Sequence, residues 1–130
     1  MKKMKEIIIS IIIIVSITVG SKITQDYTKY AVEETSTLLN VLRKDIIESK
    51  EKENLEESIN NIHTQWDKKH NKLAYYIEHD ELEKVETGLT SLRAYIEMED
   101  ETESVSKIDE TIYILRHIED KNKFNLQNIF

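Results

Sequence analysis

The sequence has no cysteine and no proline, and its 130 residues include only two glycines, Gly20 and Gly88. Without cysteine there can be no disulfide, thiolate metal site, cysteine nucleophile or lipidated cysteine of a bacterial lipoprotein, so any anchor must be peptide. Without proline and with so little glycine, the tight turns of hairpins and sandwiches have almost no residues to make them. These absences predict an all-α chain. No basic stripe is present either. The formal charge is −7, and because Lys2, Lys3, Lys5 and Lys22 oppose only Glu6 in residues 1 to 22, a net of +3, the remainder carries −10. A body of that sign repels phosphate backbones, which excludes nucleic acid as a partner. A Gly-rich phosphate loop, a nucleophile elbow and an HExxH pair are also missing, and carboxylates occur everywhere rather than as an isolated pair. The chain therefore reads as a non-enzyme without catalytic residues or cofactor.

What is present begins with Ile7 to Val19, IIISIIIIVSITV, eight isoleucines and two valines in thirteen residues. At roughly −0.3 to −0.6 kcal/mol each, these ten contribute about −3 to −6 kcal/mol toward insertion in a bilayer. Ile7, Ile11, Ile14 and Val19 are taken as the anchor. Lysines before the run and a sparser charge after it place the N-terminus inside and the body outside, by the positive-inside rule. The uncharged stretch Ile7 to Ser21 is about 22 Å of helix against a hydrocarbon core of about 30 Å. Snorkelling of Lys22 lets a segment from about Met4 to Gln25 span. The alternative is secretion after cleavage near Gly20/Ser21, although the site is not of the A-x-A kind. The division expected is thus an anchor over residues 1–23 and an extracytoplasmic body over 24–130. About five residues remain on the cytoplasmic side, so transmembrane signalling is expected to need a partner.

From Thr24 the pattern is amphipathic. Tyr27, Ala31, Leu38, Val41, Leu42 and Ile46 recur at helical spacing, and helix 1 is expected to continue from the membrane to about Ser49. Asn54 with Glu57 reads as the cap of helix 2, whose seam is Leu55, Ile59, Ile62, Trp66, Lys69, Leu73 and Tyr76. The phase breaks at His79, and Asp80 with Glu83 repeats the capping pattern before helix 3, on Leu82, Val85, Leu89, Leu92 and Ile96. Gly88 inside that seam suggests a close helix contact. Thr102 or Asp100 caps helix 4, on Val105, Ile108, Ile112, Leu115 and Ile118. Short connections make neighbours antiparallel, giving an up-and-down bundle of three to four helices, with a three-helix core on a helix 1 stalk as the variant.

The topology puts the acidic turns, 48–57 and 97–103, at the membrane-distal end, and His79, His117 and the tail 121–130 at the proximal end. His79 and His117, each placed at a helix C-terminus, are the metal candidates, although a histidine there also simply meets the helix dipole. His63 and His70, seven residues apart, are too far apart to share an ion simply. The acidic run 97–103 lacks the D-x-D-x-D-G order of a calcium loop. In the tail, Phe124, Leu126, Ile129 and Phe130 either fold back over the bundle or offer an apolar patch, and they are the interaction candidates.

Trp66, Leu73-Ala-Tyr-Tyr-Ile-Glu-His79, Leu89-Thr-Ser-Leu-Arg-Ala-Tyr-Ile96, Ile114-Leu-Arg-His-Ile118 and the ending Leu126-Gln-Asn-Ile-Phe130, all behind an apolar N-terminal segment, give the chain a family likeness. It resembles the domain-of-unknown-function family 4363 of Clostridia and related Firmicutes over nearly its whole length. The resemblance implies a membrane-anchored, helical, extracytoplasmic bacterial protein and supplies no catalytic residues. The functional expectation is a protein-interaction module that binds another envelope protein. The alternative is a small-ligand or metal-binding sensor at the His79/His117 end.

Overall fold

A computed structural model describes residues 1–129, with side chains described through Lys123. Four helices follow one another: α1 Lys2–Ile47, α2 Lys52–Leu73, α3 His79–Glu97 and α4 Glu101–Ile129. Buried residues fall on each helix at alternating spacings of three and four, the signature of left-handed bundle packing near +20°. On α1 they include Thr28, Val32, Thr35, Leu39, Leu42 and Ile46. On α2 they are Ile59, Ile62, Trp66, Lys69 and Leu73, joined by His63 beside the seam. α3 supplies Leu82, Val85, Leu89, Leu92 and Ile96, and α4 supplies Ile108, Leu115 and Ile118 with the polar Ser104, Thr111 and Asn122.

Each helix packs on its chain neighbours, and α4 closes the ring against α1. Pairings of Asn122 with Thr28 and of Asp109 with Arg43 fix α4 antiparallel to α1. Helix α1 is therefore a full member of a four-helix bundle, and the three-helix core on a stalk does not form. Its first half differs from its second. All of Met1 to Gly20 is exposed, and burial begins only beyond that point.

Several boundaries depart from the expected ones for identifiable reasons. Helix α1 closes in a Schellman turn, Ser49 N–H to the Ile46 carbonyl and Lys50 N–H to the Asp45 carbonyl, with Ser49 at a φ of 58°. That turn delivers the chain directly into α2, so Glu51 is the N-cap, without a side-chain bond, and Asn54 lies within the first turn. The end of α3 repeats the device, with Glu99 at a φ of 56° and Asp100 N–H bonded to the Tyr95 carbonyl. Asp100 then caps α4 as expected, its Oδ1 accepting the Glu103 N–H at 3.1 Å. Helix α2 stops at Leu73 because the N–H groups of Tyr76 and Ile77 both converge on the Leu73 carbonyl and wind the chain into a turn. Glu78, not Asp80, precedes α3 as its N-cap. The tail is not a separate segment. Lacking glycine or proline to stop it, α4 runs on through Lys121 to Ile129.

Gly88 is the close contact that its place in the seam suggests. A Cβ there would lie 2.5 Å from Thr111 Oγ1, which is pinned by its own bond to the Lys107 carbonyl at 2.7 Å. Gly88→Ala gains about 1 kcal/mol of helix propensity but forces an overpacking that costs about 1–3 kcal/mol. We expect a net loss of stability in thermal unfolding of the detergent-solubilised chain. Thr111→Ala should relieve it in the double variant, because the remaining Cβ sits at an ordinary 3.5 Å. Additive effects of the two substitutions would contradict the contact.

Candidate functional site

The densest polar constellation lies where the bundle meets the bare half of α1. Thr28, 1% exposed, occupies a seam position that elsewhere on α1 holds Val32, Leu39 or Leu42. Its hydroxyl donates to the Thr24 carbonyl at 2.7 Å and accepts from Asn122 Nδ2 at 3.2 Å. The Tyr76 hydroxyl sits between Thr28 Oγ1 at 2.8 Å and the Thr24 carbonyl at 3.1 Å. Three elements, α1, the α2–α3 turn and α4, are thus tied at one level by one hydroxyl. Burial pushes the Tyr76 phenol above its ordinary pKa, against a smaller lowering from its bond to Thr28.

Beside this layer, Lys121 Nζ lies 3.4 Å from both Glu78 Oε2 and Glu81 Oε1. Partial desolvation works against the ammonium, but the attraction of the two carboxylates outweighs it and holds the Lys121 pKa above the usual lysine value. Glu81 Oε2 is buried without a protein partner, next to a cavity of about 110 Å³ bounded by Tyr76, Glu78, Ile118, Lys121 and Asn122. Such a cavity has room for water to satisfy that oxygen.

The layer reads chemically as a latch made of hydrogen bonds. Thr28→Val keeps the shape of the side chain and removes the hydroxyl, leaving buried Asn122 Nδ2 without its acceptor. The expected cost is about 1–3 kcal/mol, measured as a lowered melting temperature of the full chain in detergent. An unchanged melting temperature would mean that the layer contributes nothing to holding α4 on α1.

The sequence-predicted residues are placed as follows. His79 is the first residue of α3, at a helix start rather than a helix end, because the chain turns five residues earlier than its apolar phase suggests. Its side chain is 78% exposed, with Nε2 4.0 Å from Glu83 Oε2. His117 is exposed in the interior of α4, twelve residues before Ile129, because α4 does not stop there. Among the described residues no group of three or more His, Asp or Glu is arranged to hold a metal ion. The side chains of Phe124, Leu126 and Ile129, and all of Phe130, lie outside the described part of the structure. Ile7, Ile11, Ile14 and Val19 are all exposed on the bare half of α1.

One cluster escaped the pattern of the sequence. His63 is buried between α2 and α3, with Nδ1 2.7 Å from Arg93 Nη2 and Nε2 2.8 Å from Glu86 Oε1. A guanidinium only donates, so Nδ1 accepts from Arg93 and Nε2 faces the Glu86 carboxylate as donor. A histidine one position after a seam isoleucine, with no local partner, gave no sign of this. Its partners lie 23 and 30 residues away. Asn122 did leave a trace, as a polar residue one turn beyond the seam residue Ile118, whereas Thr28 lies one residue off the seam expected through Tyr27 and Ala31.

By length and composition α1 is compatible with a membrane anchor, and a signal sequence near an N-terminus has the same character. The chain belongs to the family described as Domain of unknown function (DUF4363), which it matches over residues 22–129. No curated protein and no solved structure matches it.

Proposed function

We propose that this member of the family is a non-catalytic, single-pass membrane protein whose four-helix body stands outside the bacterial cytoplasmic membrane and binds another protein of the envelope. The observation that carries this reading is the division of α1. One unbroken helix from Lys2 to Ile47 holds an apolar half with none of its most apolar window buried, and a second half packed into the bundle. A bare run of that hydropathy favours lipid by about 3–6 kcal/mol. Because the helix continues without a break into the bundle, the body is held at a set distance and direction from the bilayer rather than on a flexible linker.

The lysines at positions 2, 3 and 5 support an N-terminus inside and the body outside. A protein partner is favoured because the body leaves hydrophobic side chains bare, Val41 and Tyr113 on its helix faces and Met98 in the α3–α4 turn. In-cell crosslinking of the full-length tagged protein, with the native N-terminus read in the same experiment, tests the proposal. The expected result is an intact Met1 region and one reproducible envelope partner. Alanine at Phe124, Leu126, Ile129 and Phe130 should weaken that crosslink. A mature N-terminus at Ser21 or Lys22 would replace the anchored protein with a released one, and the absence of any reproducible partner would remove the interaction role.

A further inference from the structure

We propose that the α2–α3 turn is a second membrane contact, a tyrosine and lysine collar that seats in the headgroup layer of the bilayer crossed by α1. The inference rests on the anchored reading of α1 and adds a surface to it.

Height is the first argument. The Tyr76 hydroxyl is bonded to the Thr24 carbonyl and to Thr28, so the turn between Leu73 and His79 is held level with residues 24 to 28 of α1. The apolar run ends at Ser21. Three to seven residues of helix separate that point from Thr24 and Thr28, a rise of about 4.5–10.5 Å. The polar layer on each face of a bilayer is about 5–8 Å deep, the difference between its full thickness and its hydrocarbon core. The near edge of the turn therefore falls among the headgroups.

Chemistry at that height is the second argument. Tyr75, at the tip of the turn, is 90% exposed, the barest of the tyrosines. An aromatic ring with a polar tip left open in water has no evident role there, whereas at a membrane interface it is the favoured side chain. Tyr27 lies close by, with Lys72 Nζ 5.4 Å from its ring centroid. At this level Lys22, Lys72, Lys121 and Lys123 nearly balance Asp26, Glu78, Asp80, Glu81 and Glu119, and three of the lysines are ion-paired with these carboxylates. The opposite turn of the bundle carries Glu97, Glu99, Asp100, Glu101 and Glu103 with no cation among them. An anionic leaflet repels the second end far more strongly than the first, so the charge gradient selects one orientation.

Backbone continuity is the third. Asn122 is tied to Thr28, and α4 continues seven residues to Ile129, about 10 Å back toward the bilayer. Its end comes level with Ser21 and Lys22. Helix α1, the turn and the end of α4 then meet the membrane at three points, which fixes the tilt of the bundle where a single helix would let it swing.

The chain has no cysteine, so single cysteines can be labelled without background. Ala74→Cys beside Tyr75, Met98→Cys on the opposite turn and Ile13→Cys in the apolar run would each be nitroxide-labelled in the full chain. The labelled proteins would then be reconstituted in phosphatidylethanolamine and phosphatidylglycerol vesicles. Collision with a water-soluble nickel chelate reads exposure to water, and collision with oxygen reads exposure to lipid. Position 74 is expected to be shielded from nickel several-fold relative to position 98, with values between those of 98 and 13. Equal nickel access at 74 and 98, with 13 in lipid, would overturn the collar and leave the anchor standing. Nickel access at all three would overturn the anchored reading itself.

Discussion

Trp66→Ala is expected to lower the stability of the bundle by about 3–5 kcal/mol, the range for deleting a large buried aromatic. Trp66 is fully buried and is the largest side chain of the core, on the α2 seam between Ile62 and Lys69. No smaller neighbour can collapse into the space, because the flanking seam residues belong to regular helix whose backbone is fixed by its own hydrogen bonds. At about 4–8 °C per kcal/mol for a body of this size, the loss amounts to tens of degrees in melting temperature. Trp66→Phe separates packing from polarity. The indole Nε1 is buried without an acceptor, so phenylalanine removes an unsatisfied donor while it removes volume. It should cost much less than alanine. Circular dichroism melts of the full chain in detergent test both. An alanine variant that melted within a few degrees of the parent would mean that the centre of the bundle is not packed around this side chain.

The ease of reading the core from the sequence has a physical basis, and so do the errors. Seam residues such as Leu82, Val85, Leu89, Leu92 and Ile96 repeat with the period of the helix itself, so the buried face of α3 follows from spacing alone. Helix ends obey shorter-range and weaker rules. Asp100 caps α4 as its chemistry suggests, yet Asn54 and Asp80 are bypassed, because Schellman closure at Ser49 and the convergence of two N–H groups on the Leu73 carbonyl start the next helices earlier. These are backbone events that serine and glutamate tolerate at modest cost at Ser49 and Glu99, and without a glycine there they leave no mark in the sequence. The misplacement of His79 and His117 follows from the same source. Once α3 opens at His79 and α4 runs through His117, neither histidine caps a helix end. Polar links over long separations were illegible for another reason: His63 finds Glu86 and Arg93, and Thr28 finds Asn122, only when the ring of four helices closes.

Ile14→Lys and Ile47→Lys make the same chemical change on the same helix at side chains of similar exposure, 60% and 49%. Their expected consequences are far apart. At the centre of the apolar run, isoleucine contributes about −0.3 to −0.6 kcal/mol to insertion and lysine about +2.5 to +3.5, a swing of about 3–4 kcal/mol. That swing is comparable to everything the run contributes. Snorkelling gives least relief at Ile14, because it is the midpoint of Ile7 to Ser21 and equally far from both interfaces. The full chain carrying Ile14→Lys should therefore move from the membrane to the soluble fraction after cell disruption, with its bundle still helical, because none of the core touches that segment. Ile47→Lys stands at the end of α1 among Lys44, Glu48 and Ser49, and surface changes in such a setting stay within about 0.5 kcal/mol. It should leave both membrane association and melting temperature in place. What differs between the two positions is the company each side chain keeps. One bare isoleucine among charges is an ordinary surface residue, whereas a bare isoleucine among seven others and two valines requires a solvent other than water. Equal fractionation of the two variants would show that α1 carries the bundle without crossing a bilayer, and the collar around Tyr75 would lose its membrane with it.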